Sequence, residues 1–369
     1  MKITAAVVEE KDSAFDLIEV ELDEPRSDEM VVRIVAAGMC HTDLSARTGA
    51  TPFPLPAVLG HEGAGIIESV GSQVSEFVPG DRVILSFDSC GTCSACQSGR
   101  PVYCKHWVPL NLLGGSRLDG SATVRRSAGE VHGHFFGQSS FASHALVHAR
   151  AAVRAPEDID LDVLAPLGCS VQTGVGAILN VARPEPGSTL VVFGAGGVGL
   201  AAVLGAVLTP LSRIVVVDVN PSRLELASEL GATHTIDANE IEPAEAIRDL
   251  TSGEGADYAV ETSGRLAVLE GAMASLTAAG TCVVIGAPPL GSTLPVDVTN
   301  LLGRGLRMRG TNQGDSNPTQ FLPRLMKLHR EGRLPFDRLI HRFPFEKINE
   351  AAAEAAAGTA IKPVLVMPS

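Results

Sequence analysis

Hydrophobic residues follow two different patterns along the chain, and the change between them lies near residue 170. Before it, short runs of β-branched residues are separated by Gly, Pro and Asp turn signals, which is typical of a β-rich domain. These runs are KITAAVVEE (2–10), EMVVRIVAAG (29–38), GIIESVG (65–71) and DRVILSF (81–87). Residues 114–144 are polar and glycine-rich, so we expect a long surface loop there, and such a loop usually has a function.

After residue 170, apolar strand-like runs alternate with helical stretches, which predicts a parallel, doubly wound sheet. The strands are TLVVFGA, RIVVVDV, YAVETSG and TCVVIGA, and the helices are GLAAVLGAVL, SRLELASELG, AEAIRDLTS and AVLEGAMASL. Two further helices and a final strand, IKPVLVM, follow residue 310. We therefore predict an α/β protein with a β-rich domain (1–170), a doubly wound domain (171–310) and a C-terminal segment (311–369) that returns to the first domain.

One stretch of 27 uncharged residues, Pro186 to Ser212, is long enough to span a bilayer. Four glycines crowd into its centre, between Gly194 and Gly199. A turn at that place would leave backbone groups unsatisfied in lipid, whereas a buried strand, a glycine turn and a buried helix produce the same pattern. We therefore predict no membrane segment.

Composition and charge narrow the function further. The hydrophobic content of 45% supports packed cores, and the net charge of −13 argues against a nucleic-acid binder. The N-terminal MKITAAVVEEKDS reaches charged residues too soon for a signal peptide, and an odd count of seven cysteines argues against a secreted disulfide framework. We expect a reducing, cytoplasmic setting in which clustered thiols bind metal.

Four of the cysteines lie within fifteen residues, as C-x2-C-x2-C-x7-C. The short gaps let successive thiolates turn toward one centre, and four thiolates with no open position are typical of structural zinc. An iron–sulfur cluster would also use four cysteines, but the ferredoxin pattern places its fourth cysteine nearer and follows it with proline. Unligated thiols or a DNA-binding zinc ribbon would show the same spacing. The residues concerned are Cys90, Cys93, Cys96 and Cys104.

A glycine-rich loop, VVFGAGGVGLAA, lies between a predicted strand and a predicted helix. In a dinucleotide fold, Gly194 makes the tight turn, Gly196 lets the backbone approach the pyrophosphate, and Gly199 allows close helix–strand contact. Asp218 ends the next strand, where a carboxylate binds the adenosine ribose and repels a 2′-phosphate. This predicts NAD rather than NADP, and a purely structural glycine turn is the alternative.

A second possible ligand set consists of Cys40 in GMCHTD, His61 in VLGHEGAG and Cys169 in PLGCSVQTG. Each residue alone is unremarkable, and all three are far apart in sequence. Their combination matches the Cys2His composition of a catalytic zinc, which keeps its fourth position open.

Together these motifs resemble the zinc-dependent medium-chain alcohol dehydrogenase family over essentially the whole chain. The residues that carry the resemblance are GMCHTDLSARTG, LGHEGAGIIESVG, PGDRV, CGTCSACQSGRPVYC, LGCSVQTGVGA, GAGGVG and PFEKINEAA. The stretches 135–147 and 310–340 are most similar to the aryl- or benzyl-alcohol branch, some members of which favour allylic alcohols such as geraniol. The resemblance implies a GroES-like catalytic domain with a structural zinc lobe near 88–106, a Rossmann NAD-binding domain, and interconversion of a primary aromatic or allylic alcohol and its aldehyde.

The resemblance also implies roles for single residues. Cys40, His61 and Cys169 hold the catalytic zinc, and the four clustered cysteines hold the structural zinc, so two zinc ions are expected per chain. Asp43 orients His61, and Glu62 either orients ligands or binds the metal transiently. The implied cofactor contacts are His41, Thr173 in the turn after Cys169, Gly194, Gly196, Gly197, Val198, Gly199, Asp218, Arg223 and Lys362.

The expected proton path departs from the family pattern. Thr42 matches the family's Ser/Thr that passes on the alcohol proton, but Ser45 stands where well-studied members have a relay histidine. Serine does not act as a base near neutral pH. We expect the proton to leave through water at the ribose hydroxyl, or through His41 or Arg47.

The substrate pocket is predicted from Phe87, Phe135 and Phe136, which match apolar wall positions of the family loosely. An aromatic slot suits an aryl or allylic alcohol better than ethanol. The remaining cysteine, Cys282, is expected to be a small buried hydrophobic residue.

Two further functions are compatible with the sequence. A thiol-dependent formaldehyde dehydrogenase would need cations to hold its charged thiol cofactor, and Arg117, Arg125 and Arg126 are the nearby candidates. A non-enzymatic protein that binds zinc and NAD would not require Cys40, His61 and Cys169 together. By resemblance we expect a homodimer that pairs through the edge strand TCVVIGAPP (281–289), with a tetramer as the alternative.

Overall fold

The computed structural model describes residues 1–127 and 129–368. The strands are β1 (Lys2–Val8), β2 (Phe15–Leu22), β3 (Glu29–Gly38), β4 (Ala57–Val58), β5 (Glu62–Val70), β6 (Arg82–Leu85), β7 (Val124–Arg125), β8 (His144–His148), β9 (Ala152–Arg154), β10 (Thr189–Phe193), β11 (Arg213–Asp218), β12 (His234–Asp237), β13 (Ala256–Glu261), β14 (Leu276–Val284), β15 (Arg307–Gly310), β16 (Ile340–Pro344) and β17 (Lys362–Val366).

The α-helices are α1 (His41–Thr48), α2 (Ser94–Gln97), α3 (Leu161–Leu164), α4 (Ser170–Gly176), α5 (Gly197–Val207), α6 (Pro221–Glu229), α7 (Pro243–Leu250), α8 (Leu266–Ala274), α9 (Val298–Arg304), α10 (Pro318–Arg330) and α11 (Ile348–Ala357). Short 3-10 or π turns cover Pro101–Tyr103, Pro109–Leu113, Phe135–Gly137, Ala149–Ala151, Ala165–Gly168, Ala177–Ala182, Gln313–Asp315, Phe336–Leu339 and Phe345–Lys347.

The chain divides into two compact units. The first unit comprises residues 1–169, 317–327 and 337–369, and the second comprises residues 170–316 and 328–336. The divisions expected from sequence lie after residues 170 and 310.

Two sheets build the first unit, and their registers determine which residues meet at the candidate site. One sheet has the order β4-β1-β2-β7, and the other has the order β16-β17-β3-β5-β6-β9, with β8 also paired to β3. At the end of β3, Gly38 is opposite Glu62 of β5 on one side and Val364 of β17 on the other. The segment that enters α1 is thereby flanked by the start of β5 and by the C-terminal strand.

The second unit contains a six-stranded parallel sheet with the order β12-β11-β10-β13-β14-β15. This is the doubly wound Rossmann order, so the fold class predicted from the alternating pattern is confirmed. The uncharged stretch 186–212 forms the buried strand β10 and the largely buried helix α5. Among the described residues, no single helix is long and apolar enough to cross a membrane, although the bent pair 161–168 and 170–182 passes that test by length and composition.

Two expectations about surface segments are wrong. Residues 133–142 of the expected surface loop are all buried, because the loop's polar side chains, Gln138 among them, hydrogen-bond inside the first unit. The strand in 281–289 is not the sheet edge, since β15 pairs along the outer side of β14. The propensity of 307–310 (Arg-Met-Arg-Gly) for a strand is weak, and its pairing with β14 decides its conformation.

Candidate active site

Four side chains from three separate segments meet in the first unit. Cys40 precedes α1, His61 immediately precedes β5, Glu62 is the first residue of β5, and Cys169 follows the turn 165–168. One ligand atom from each of the four lies within 4.8 Å of the others. Three of the residues are buried, and Cys40 is half-buried. The structure thus brings together the three residues expected to bind the catalytic metal, with Glu62 beside them.

Asp43 joins the segments that carry these ligands. Its Oδ2 accepts a hydrogen bond from the backbone of Cys40 (2.8 Å), and its Oδ1 accepts one from the backbone of Gly60 (3.0 Å) and lies 2.9 Å from His61 Nδ1. The His61 ring is thereby oriented with Nε2 turned away from Asp43. That Nε2 is buried and has no hydrogen-bond partner among the described residues. Burial lowers the pKa of His61, but Asp43 and Cys40 outweigh it and raise this pKa to about 10.

The charges of the neighbouring side chains indicate which ion the four grouped side chains can bind. Lys362 Nζ donates to Met39 O (3.0 Å) and to both carboxylate oxygens of Glu62 (3.0 and 3.1 Å). The hydrogen bond from Cys169 lowers the pKa of Cys40, against the effect of burial, and so favours a thiolate. The Asp43 and Glu62 carboxylates and the Cys40 thiolate therefore outnumber the cations Lys362 and His61, and buried charges are costly unless they are paired or bind a metal. Two sulfurs, an unpartnered imidazole nitrogen and this negative charge fit a zinc ion.

The four clustered cysteines form a second ligand group in the first unit, all within 4.8 Å of one another. Three are half-buried and Cys104 is buried. Backbone N–H groups point at their sulfurs: Cys93 N lies 3.4 Å from Cys90 Sγ, and Cys90 N and His106 N each lie 3.3 Å from Cys104 Sγ. Such donors stabilise thiolates, so this lobe (residues 88–106) fits a zinc with four thiolate ligands.

A third group, Asp88 with His134 and His148, has ligand atoms at similar spacing. Its carboxylate already accepts hydrogen bonds from His148 Nδ1 (2.7 Å) and from the backbone of Ser89 (2.7 Å), and Arg150 Nε lies 3.2 Å from Oδ1. A guanidinium therefore neutralises this carboxylate, and we assign the group a structural role.

Aromatic rings cover one side of His61. Phe136 stacks on the imidazole with a centroid distance of 4.4 Å, and Phe135 approaches it edge-on at 5.5 Å. Trp107 contacts Phe136 at 6.2 Å and Phe87 at 4.7 Å, both edge-on. The three phenylalanines expected in the pocket thus belong to one aromatic cluster beside a metal-ligand candidate.

The glycine loop of the second unit has the geometry expected of a dinucleotide site. Gly194 has φ +96°, a conformation that favours glycine. A Cβ on Gly199 would lie 1.8 Å from Gly194 O, whereas one on Gly196 would meet nothing within 4 Å. Because α5 begins at Gly197, its N-terminal N–H groups lie next to the open space at Gly196, an arrangement typical of a site that binds phosphate.

Asp218 connects the end of β11 to this loop. Its Oδ2 accepts a hydrogen bond from Ala195 N (2.6 Å), and its Oδ1 accepts hydrogen bonds from Val219 N (2.8 Å) and Asn220 N (2.9 Å). The carboxylate is thus held at the strand end, where a ribose is expected. Thr173 lies in helix α4 rather than in a turn, with its hydroxyl 3.3 Å from Gln313 Oε1.

Comparisons with known proteins decide the family. The sequence matches the profile of the alcohol dehydrogenase GroES-like domain over residues 26–157 and that of the zinc-binding dehydrogenases over residues 197–328. It is 43% identical to the geraniol dehydrogenase of Castellaniella defragrans over 363 residues, which cover 98% of this chain and 97% of that protein. The chain belongs to the zinc-dependent medium-chain alcohol dehydrogenase family. It is therefore an oxidoreductase.

Solved structures of this dehydrogenase family agree over the whole chain. The crystal structure of an alcohol dehydrogenase zinc-binding domain protein from Burkholderia ambifaria is 46% identical, with a TM-score of 0.96 and complete coverage of both chains. The benzyl alcohol dehydrogenase of Acinetobacter calcoaceticus is 41% identical, with the same TM-score and coverage.

The residues expected to relay the alcohol proton lie on α1. The Thr42 hydroxyl is 3.8 Å from the sulfur of Cys40, one of the expected metal ligands. His41 is exposed and Ser45 half-buried. The Arg47 guanidinium lies over the Phe15 ring at 5.8 Å. Of the two proposed substitutes for the relay histidine, His41 is the one with a side chain able to act as a base at neutral pH.

The arginines required by a thiol-dependent formaldehyde dehydrogenase are already paired. Arg117 is buried and bonds Glu29 (2.7 Å) and Asp23 (2.9 Å), and Arg125 bonds Asp23 (2.8 Å). Arg126 binds Glu9 through two hydrogen bonds. With their charges neutralised by carboxylates, these cations are not available to hold an anionic thiol, which argues against that function.

Sequence reasoning missed three contacts around the ligands. The Gln138 amide donates to His61 O (3.0 Å) and Ser86 O (3.1 Å) and accepts from Gly63 N (2.9 Å), so it holds the backbone on both sides of Glu62. Lys362, assigned to the pyrophosphate, binds Glu62 instead. Trp107 belongs to no motif. Two features of the sequence could have indicated these contacts. They are the single amide residue next to phenylalanines in FFGQSS and the one tryptophan of the chain.

Proposed function

We propose that this dehydrogenase oxidises primary aromatic or allylic alcohols to aldehydes with NAD as hydride acceptor, and catalyses the reverse reaction. The observation that carries the proposal is the stacking of Phe136 on His61, which sets an apolar aromatic surface beside the metal-ligand group. The similarity to a geraniol dehydrogenase and to a benzyl alcohol dehydrogenase supports the same substrate class.

In this proposal, Cys40, His61 and Cys169 hold a catalytic zinc, which when bound polarises the substrate oxygen and lowers the pKa of an alcohol hydroxyl. Asp43 fixes the His61 tautomer, and the Thr42 hydroxyl takes the alcohol proton toward solvent. Lys362 neutralises Glu62 beside the ligands, since its ammonium is already committed there.

The cofactor is proposed to bind the second unit. The loop 194–199 would hold the pyrophosphate, Val198 would press on the nicotinamide, and Asp218 would accept hydrogen bonds from the adenosine ribose and repel a 2′-phosphate. His41, Thr173 and Arg223 are retained as further contacts on the family's pattern.

We also propose two zinc ions per chain, one in the lobe and one at the catalytic group, and a cytoplasmic homodimer with a small alcohol or aldehyde as substrate. Support for dimerisation comes from the second unit, where the edge strand β15 lies in a region with large exposed apolar side chains. These are Leu290, Val298, Leu302 and Met308. A tetramer remains the alternative assembly.

A panel of alcohols tests the proposal. Initial rates of NAD and NADP reduction are compared for benzyl alcohol, geraniol, 1-propanol and the hydroxymethyl adduct of a thiol, with zinc counted per chain. We expect the highest kcat/KM for benzyl alcohol or geraniol with NAD, and two zinc ions. A preference for 1-propanol or for the thiol adduct would overturn the proposed substrate class.

A further inference from the structure

Trp107 lies just beyond the four-cysteine lobe and contacts two of the phenylalanines next to the metal-ligand group. We infer that Trp107 is a specificity-determining residue, whose indole ring contacts the apolar part of aromatic and allylic alcohols. The inference rests on the proposed function and adds a residue that neither the sequence motifs nor the relatives' names indicate.

The rings form a continuous path away from the metal ligand. Phe136 stacks on His61 at 4.4 Å, and Trp107 meets Phe136 edge-on, at a centroid distance of 6.2 Å and an interplanar angle of 87°. In this inference, a short alcohol held at the ligands contacts Phe136, the ring stacked on His61, and does not reach the indole. A substrate with a ring or a long apolar chain extends further and gains the indole contact as well.

Accessibility also separates Trp107 from its neighbours. The four phenylalanines of the cluster, Phe53, Phe87, Phe135 and Phe136, are all buried, whereas Trp107 is half-buried. The indole thus keeps ring surface that packing inside the unit does not consume. Aromatic groups prefer edge-to-face or offset contacts with such a ring, which suits an aryl or allylic group.

The backbone of Trp107 is held from both sides, so the indole is not on a free loop. Its N–H donates to Cys104 O (2.9 Å), and its carbonyl accepts from Asn111 Nδ2 (2.9 Å). The buried Asn111 amide also bonds the backbone N–H (2.9 Å) and carbonyl (3.0 Å) of Asp88. The cysteine lobe therefore positions a side chain of the substrate pocket in addition to holding a metal.

The test compares kcat/KM for benzyl alcohol with kcat/KM for 1-propanol in Trp107→Leu and Trp107→Phe. Loss of one aromatic contact corresponds to a change of about threefold to tenfold, so we expect Trp107→Leu to lower the benzyl-to-propanol ratio by about tenfold. Trp107→Phe, which keeps a ring, should restore most of it. Tyr103→Leu, at an exposed position in the same lobe, is the matched control and should leave the ratio unchanged.

Different results would contradict the role of Trp107 and the proposed function. A wild-type enzyme that prefers 1-propanol contradicts the proposed function, whereas a wild-type preference for benzyl alcohol that Trp107→Leu leaves within about twofold contradicts only the role of Trp107. If Trp107→Leu does not retain two zinc ions, Trp107→Phe becomes the variant that tests the inference. Its smaller ring should then shift preference from benzyl alcohol toward geraniol by about threefold, and an unchanged preference overturns the inference.

Discussion

The two cysteine-containing groups of the first unit are built in opposite ways. The lobe collects its four sulfurs from fifteen consecutive residues, in tight turns that leave three of them half-exposed. The other group draws Cys40, His61 and Cys169 from distant segments into a mostly buried place. In this protein the four-cysteine set depends on local spacing, whereas the group expected to bind substrate depends on a sheet that brings its parts together.

Their surroundings differ as much as their construction. Backbone N–H groups surround the lobe sulfurs, whereas ionisable side chains surround the other group: Asp43 on His61, and Lys362 on Glu62. A backbone N–H group holds a thiolate in place but carries no charge that could change. A charged side chain controls both the orientation and the charge of the ligand that it contacts. We therefore expect changes in the lobe to affect stability, and changes at the second group to affect catalysis and zinc affinity.

The largest effect is expected for His61→Ala. It removes one of three proposed ligands, and metal polarisation of the substrate is worth several kcal/mol, so kcat/KM for benzyl alcohol should fall by about a thousandfold. Zinc content should fall by one ion, because the lobe is unaffected. Initial rates and metal analysis test this, with the exposed His341→Ala as control. An active His61→Ala enzyme would show that the catalytic group is misassigned.

Cys93→Ser addresses the lobe. Loss of a structural metal removes folding free energy, and we expect the free energy of unfolding in urea to fall by on the order of 3 kcal/mol. Ser98→Ala, an exposed position of the same lobe, should unfold like the wild type. The division of roles fails if Cys93→Ser leaves unfolding unchanged and abolishes turnover.

Asp43→Asn should leave all three proposed ligands in place but weaken their binding of zinc. The neutral amide is a weaker acceptor for the three N–H groups that converge on the carboxylate, and loss of such a partner lowers metal affinity by about 10- to 100-fold. Competition with a chromophoric chelator measures this for each zinc ion. Weaker binding by the lobe instead of the catalytic group would contradict the assignment.

The smallest effect is expected for Gln138→Glu. A carboxylate cannot donate to His61 O and Ser86 O, and leaving buried acceptors without a donor costs about 1–3 kcal/mol. We expect a lower unfolding midpoint together with a lower kcat, because the backbone of His61, a proposed metal ligand, is displaced. The same substitution at the exposed Gln97 of the lobe is the matched control and should change neither. Equal losses of stability and of kcat in Gln138→Glu and Gln97→Glu would contradict the proposed difference between the lobe and the catalytic group.

Much of the molecule could be predicted from the sequence because its signals are local. The glycine loop 194–199, the C-x2-C-x2-C-x7-C lobe and the alternation after residue 170 each depend on residues a few positions apart. The residue roles at Cys40, His61 and Cys169 needed the family resemblance, since no local pattern joins those three segments.

Only the tertiary structure decided which polar side chains hydrogen-bond to those segments. Gln138 reaches a carbonyl 77 residues away, and Lys362 reaches a carboxylate 300 residues away. The burial of residues 133–142 and the position of β15 at the sheet edge depend on the same long-range pairings. Hydrophobic periodicity and cysteine spacing are properties of neighbouring residues, so the sequence by itself determined the fold class and the lobe. A buried hydrogen bond depends on which surfaces the folded chain brings together, and no local pattern encodes that.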